Sequence, residues 1–186
     1  MRADAQRNRE KVLQAASAAF AAEGLGVPVQ EIARRAGVGT GTVSRHFPTK
    51  ESLFEAVVLS RVEPLIDRAR SLTATRDAGD AFFEFFAHMV DQGALDRGLA
   101  EAFAGAGFDM EGAALKAGYD VGATFRELLT RAQQAGAVRP DVDITDVKAL
   151  MFGCLTRERG QAEPAARDRV VTVVRDGLRA HPAQAI

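Results

Sequence analysis

Polar side chains cluster around two apolar positions in the segment AGVGTGTVSRHF, residues 36–47. Val43 and Phe47 are four residues apart, so on a helix they share one face, which we expect to be buried. Short donors and one arginine then face outward or toward the helix start, and they can contact phosphates or base edges in a DNA major groove. These outward-facing positions are Thr40, Gly41, Thr42, Ser44, Arg45 and His46.

Lys50 adds an electrostatic argument, because it stands in the first turn of a helix that Thr49 is expected to cap. A cation there opposes the helix macrodipole, whereas a phosphate would accept hydrogen bonds from both the ammonium and the free N–H groups. The acid-free stretch Ile32–Lys50 favours the phosphate interpretation. The alternatives are a Lys50 that points into water and a basic face that is only solvated.

The net charge of the whole chain, −1 over 186 residues, by itself argues against a nucleic-acid partner. Residues 1–60 hold eight Lys/Arg and six Asp/Glu, a net of +2, while residues 61–186 hold sixteen and nineteen, a net of −3. The total therefore averages a mildly basic N-terminal part and an acidic remainder. Neither a signal-peptide pattern nor a membrane-length apolar run is present, so we expect a cytoplasmic protein with no membrane partner.

The elements that position these residues are predicted to be α-helices nearly throughout, since the apolar spacing is helical and no hairpin pattern occurs. Three short helices with a glycine turn between the second and third match the helix-turn-helix plan. Pro64 is a candidate kink, and the glycine-rich residues 93–107 have no definite assignment. The predicted helices cover about residues 7–23, 29–36, 40–47, 50–71, 80–92, 111–135, 144–157 and 165–180.

Other chemistries are not supported by the pattern. A phosphate-cradling nucleotide loop at Gly37, Gly39 and Gly41 would need a preceding strand and a Gly-Lys-Ser/Thr ending, which are missing. The three histidines lie far apart without metal-ligand spacing, and Cys154 lies on an apolar helix stripe, where a buried hydrophobic role is expected. We therefore predict that the chain is not an enzyme and has no cofactor and no metal.

After a first helix, the segment VQEIARRAGVGTGTVSRHFPTKESLFEAV resembles the DNA-binding domain of the tetracycline-repressor (TetR) family, and the resemblance covers residues 7–60. It implies an all-α chain with a three-helix helix-turn-helix domain, residues 1–50, and a larger helical domain, residues 51–186, that binds an effector and dimerises. The last two helices, about 144–157 and 165–180, are implied to form the homodimer interface. The matching positions are Ile32-Ala33, Ala36-Gly37-Val38, Gly41-Thr42, His46-Phe47 and Lys50-Glu51.

The resemblance also implies the DNA contacts, with Lys50 on a phosphate. Two positions depart from the family pattern: Ser44 replaces the usual aromatic, and Pro28-Val29 replaces the usual Thr or Ser cap. Both departures bear on the operator sequence rather than on the fold. The implied base or phosphate contacts come from Gln30, Thr40, Gly41, Thr42, Arg45 and His46.

Aromatic residues are concentrated in the second domain, where seven of the eleven phenylalanines lie between Phe82 and Phe125. They can line an apolar ligand cavity, or they can simply pack between helices. The net charge of −6 over residues 80–120 suits either a cationic ligand or an acidic outer surface. The candidate pocket residues are Phe82, Phe85, Phe86, His88, Met89, Phe103, Phe108, Tyr119 and Phe125.

Two apolar stripes near the C-terminus can form the dimer seam or pack within the monomer: residues 144–155, and Val170, Val171, Val174 and Leu178. Together these observations predict a repressor that binds a palindromic double-stranded DNA operator as a homodimer and is released by a hydrophobic small-molecule effector. The alternative is a helical small-molecule-binding or enzymatic protein that does not bind DNA.

Overall fold

The computed structural model describes residues 2–156 and 164–180 and contains ten α-helices in those ranges. The only β-type pairing among the described residues is an isolated bridge between Val138 and Arg179. The all-α prediction is thereby confirmed. The helices are α1 (Arg2–Glu23), α2 (Val29–Ala36), α3 (Thr40–His46), α4 (Lys50–Thr75), α5 (Ala78–Leu95), α6 (Arg97–Gly105), α7 (Met110–Lys116), α8 (Val121–Gln134), α9 (Ile144–Thr156) and α10 (Pro164–Leu178).

The chain divides into two compact units. The first unit comprises Met1–Pro64 and Asp96–Asp120, and the second comprises Leu65–Leu95 and Val121–Ile186. The compact units are not the same as the functional domains predicted from the sequence, which meet at residue 50. The first compact unit is larger than the predicted DNA-binding domain because residues 96–120 pack with the N-terminal helices. None of the described helices is both long enough and apolar enough to span a membrane.

The first unit is built around an aromatic cluster. The ring of Phe54 meets those of Phe20, Phe103 and Phe108 edge-to-face, with centroid distances of 5.1, 5.9 and 5.8 Å. Such T-shaped pairs suit the ring quadrupole and add to the hydrophobic gain of burial. The cluster therefore fixes α6 and the α6–α7 loop against α1 and the first half of α4.

The second unit has its own aromatic core. Phe82, Phe85 and Phe86 of α5 surround Phe125 of α8, with ring centroids 5.8, 5.3 and 6.5 Å away. All four side chains are almost completely buried. Val147, Met151, Cys154 and Leu178 of the last two helices complete this core.

Several helix boundaries differ from the prediction. The expected helix 111–135 is broken into α7 and α8 at Gly118, whose φ of 85° lies in the left-handed region that only glycine adopts readily. Gly118 N–H donates to the Leu115 carbonyl and Tyr119 N–H to the Ala114 carbonyl, which is the Schellman arrangement that ends a helix. Conversely, Pro64 does not break α4, and α1 begins about one turn earlier than predicted.

Candidate nucleic-acid interface

The turn between α2 and α3 depends on Gly37. Its φ of 67° ends α2, while Gly37 N–H donates to the Arg34 carbonyl and Val38 N–H donates to the Ala33 carbonyl. Val38 packs against the core of the first unit. The turn is therefore closed by backbone hydrogen bonds and held by one apolar side chain, at the place where the sequence predicted a glycine turn.

The helix α3 presents one buried side and one accessible side. Val43 is completely buried and Phe47, just beyond the helix, is 6% exposed, so these two residues anchor α3 to the unit. The remaining predicted DNA-contact residues lie on the accessible surface. Thr40, Gly41, Ser44 and Arg45 are exposed and Thr42 and His46 are half-buried, while Gln30 is exposed at the start of α2.

The start of α4 is capped reciprocally. Ser52 N–H donates to Thr49 Oγ1 at 3.0 Å, and Thr49 N–H donates to Ser52 Oγ at 3.1 Å. Thr49 is thus the N-cap that the sequence predicted. Lys50, in the first turn, is half-buried and its Nζ lies 5.8 Å from the ring centroid of Phe54.

Carboxylates from outside the acid-free stretch 32–50 lie next to two of its arginines. Glu31 forms a bidentate pair with Arg34 at 2.7 and 2.8 Å and also accepts from Arg35 Nε at 2.7 Å. Arg35 Nη1 donates to Glu23 at 2.5 Å. The hydrogen bonds from Arg34 and Arg35 lower the pKa of Glu31 from 4.5 to about 2, so the carboxylate remains ionised. The stretch contains four cations, and two of them, Arg34 and Arg35, are therefore neutralised by carboxylates.

A residue that the sequence reasoning missed lies beside α3. The guanidinium carbon of Arg9, on α1, is 5.6 Å from the ring centroid of Phe47. The two residues are far apart in sequence and share no motif, so no local signal pointed to this contact. Arg9 therefore belongs to the surroundings of the helix-turn-helix segment.

The predicted ligand-pocket residues fall into both units. Phe82, Phe85, Phe86 and Phe125 fill the core of the second unit, where their mutual ring contacts match the packing alternative. Phe103 and Phe108 belong instead to the aromatic cluster of the first unit. The other three are half-buried: His88 and Met89 lie on α5, and Tyr119 donates from its hydroxyl to Glu63 at 3.4 Å.

The second unit also contains a surface cleft of about 300 Å³, which none of the predicted pocket residues lines. Asp77, Asp80, Phe83 and Arg179 are among the residues that line it. Arg175 and Arg179 both stack on the Phe83 ring, at 5.5 and 6.0 Å from its centroid. The cleft is therefore polar at its rim.

The two stripes proposed for the dimer seam are only partly buried within the second unit. Val147, Met151, Cys154 and Leu178 are buried within the second unit, which supports packing within the monomer for these residues. Burial also raises the pKa of the Cys154 thiol, as expected for a side chain that acts as a small hydrophobe. The large apolar residues that α9 and α10 leave exposed are Leu150 (38%), Phe152 (59%) and Val173 (70%).

Comparison with known proteins gives two family models that match this chain. Residues 12–57 match the model described as bacterial regulatory proteins, tetR family. Residues 77–180 match the model described as the C-terminal domain of SbtR-like transcriptional regulators.

Similar structures span nearly the whole chain. A TetR transcription regulatory protein from Mycobacterium vanbaalenii is 49% identical, with 96% of this chain and 98% of that chain covered and a TM-score of 0.72. A TetR transcriptional regulator from Streptomyces coelicolor is 32% identical, with coverages of 94% and 99% and a TM-score of 0.73.

The curated relatives match over a shorter part. The HTH-type transcriptional regulator SrpR of Pseudomonas putida is 39% identical over 64 residues, which make up 34% of this chain and 30% of that protein. A second regulator from the same species, TtgW, matches over 48% of its length. The match thus spans less than half the length of these curated relatives.

Proposed function

The chain belongs to the TetR family and is a DNA-binding transcriptional regulator, and from that premise we propose that it is a cytoplasmic repressor. In this proposal it binds a palindromic operator as a homodimer and leaves the operator when a small-molecule effector binds. The observation that supports the proposal best is the geometry of α3. One side of the helix is anchored by buried Val43 and Phe47, while the opposite side exposes short hydrogen-bond donors and Arg45.

In the proposed complex, α3 enters the major groove and α4 approaches the backbone with its first turn. Arg45 and the hydroxyl of Thr40 suit base edges, and Lys50 suits a phosphate. Ser44 offers a hydroxyl of short reach. We therefore expect base readout to come from the exposed side of α3 and orientation on the duplex to come from the start of α4.

Dimerisation follows from the size of α3. A helix of seven residues reads only a few base pairs, so a two-fold dimer that places two such helices on half-sites about one helical turn apart is needed for specificity. We propose that the exposed apolar side chains of Phe152 and Val173 form the centre of that interface. Gly153 and Gly177 face open space, where a partner backbone can approach closely.

The proposed effector response is a population shift. A ligand that binds one conformation of the dimer better than another stabilises that conformation and thereby changes the separation of the two α3 helices. We propose a hydrophobic effector, as predicted from the sequence, although most of the aromatic residues predicted for its pocket are packed in the cores of the two units. Half-buried His88 and Met89 of α5 are the proposed contacts in the second unit.

A mobility-shift titration of the DNA upstream of the protein's own coding region tests this function. The wild-type protein is expected to retard the fragment specifically, and Arg45→Ala is expected to abolish the specific shift. Lys116→Ala, which removes an exposed cation on α7, is the matched control and should bind as the wild type does. No shift of any fragment at low salt would overturn the proposal and favour a ligand-binding protein that does not contact DNA.

A further inference from the structure

Of the eight cations in residues 3–64, four are paired with carboxylates. Arg7 pairs with Asp4, Arg61 with Asp96, and Arg34 and Arg35 with Glu31 and Glu23. Within the described part of the chain, four cations of this region have no carboxylate within ion-pairing distance. They are Arg9, Lys11, Arg45 and Lys50.

Arg9 differs from an ordinary exposed cation because its position is restricted. Its side chain is half-buried, and its guanidinium carbon lies 5.6 Å from the ring centroid of Phe47. Phe47 is itself buried and follows the last residue of α3, so the ring is a fixed support. The cation is therefore held beside the end of α3 before any ligand arrives.

Arg9 and Lys50 have the same kind of support. Lys50 Nζ lies over the Phe54 ring. Pro48 and Thr49, which lie between Phe47 and Lys50 in the sequence, are exposed. A guanidinium that lies over a ring still has its N–H donors available to bind an anion. A phosphate accepts such donors in a bidentate manner.

We propose that Arg9 is a further contact to the DNA backbone and that the ring of Phe47 positions it for this role. The inference rests on the proposed function, since it assumes that α3 enters the major groove. In the complex, the guanidinium of Arg9 and the ammonium of Lys50 bind phosphates beside the groove that α3 occupies. Arg9 thereby supplies part of the positive charge that the pairing of Arg34 and Arg35 with Glu31 removes.

Phosphate contacts do not depend on sequence, so the test does not require the operator. Binding of a fluorescein-labelled 30-base-pair duplex of mixed sequence is measured by anisotropy over a salt series for wild type, Arg9→Gln, Lys50→Gln and Lys11→Gln. We expect Arg9→Gln to weaken binding roughly fivefold and to reduce the salt slope by about 0.9 for each protomer bound. Lys50→Gln should behave similarly.

Lys11→Gln is the matched control, because it removes one exposed cation from the same helix without a ring beneath it. If it reduces the slope as much as Arg9→Gln does, net charge alone acts and the proposal is wrong. A purely structural Arg9 would lower the thermal midpoint of Arg9→Gln but leave the salt slope unchanged, which would also overturn it. If Arg45→Ala still abolishes specific binding of the operator, the proposed function stands even though the proposal for Arg9 fails.

Discussion

Arg61 of α4 donates from Nη2 to the hydroxyl of Ser17 on α1 at 2.7 Å, and Arg61 Nε lies 3.4 Å from Asp96, the residue that precedes α6. Ser17 is 5% exposed and is the one polar side chain in the described part of the chain that is fully buried. Burial raises the pKa of Asp96, and the charge of Arg61 opposes that shift. A single guanidinium thus satisfies a buried hydroxyl and a partly buried carboxylate within the first unit.

Removing this guanidinium should destabilise the first unit. Arg61→Ala leaves the Ser17 hydroxyl without its side-chain donor, which we expect to lower the free energy of unfolding by roughly 1–3 kcal/mol. Ser17→Ala should lower the free energy of unfolding by less, because the Arg61 side chain is 42% exposed and water can solvate it. Urea denaturation followed by circular dichroism measures both, and strictly additive effects in the double variant would contradict a direct interaction.

The Glu31 carboxylate should make stability depend on acid pH. Its pKa in the folded protein is about 2, below the ordinary 4.5, because it accepts hydrogen bonds from Arg34 and Arg35. Its contribution to stability is therefore complete above pH 4.5 and is lost as the pH falls toward 2. We expect the difference in thermal midpoint between wild type and Glu31→Gln to shrink across this window. A difference that stays constant with pH would show that the ion pairs do not contribute in this way.

The proposed interface should be sensitive to charge at Phe152. This side chain is 59% exposed on α9, so an aspartate is tolerated in the monomer, whereas at a two-fold interface it would be desolvated and would face like charge. We expect Phe152→Asp to weaken dimerisation by several kcal/mol and to give a monomer in light scattering. The matched control is Leu115→Asp, an exposed apolar position on α7 (49%), which should leave the mass unchanged. A Phe152→Asp protein that remains dimeric would place the interface elsewhere.

The helix-turn-helix segment was predicted closely because its signals are local. The bounds of α2 agree with the prediction, and α3 ends one residue earlier, at His46. The Gly37 turn and the Thr49 cap act through hydrogen bonds between residues at most five positions apart. By contrast, the prediction placed Gly118 inside a continuous helix over residues 111–135, since nothing local distinguishes an interior glycine from one that ends a helix with positive φ.

The sequence by itself determined the fold class, the order of the helices and the accessible side of α3, because helical periodicity and capping act over one or two turns. Only the tertiary structure decided the contacts between residues that are distant in sequence, such as Glu23 with Arg35 and Arg9 with Phe47. It also decided that Phe103 and Phe108 pack with Phe54 rather than with Phe125. In a sequence pattern one buried phenylalanine looks like another. Only packing in three dimensions decides which core each of them joins.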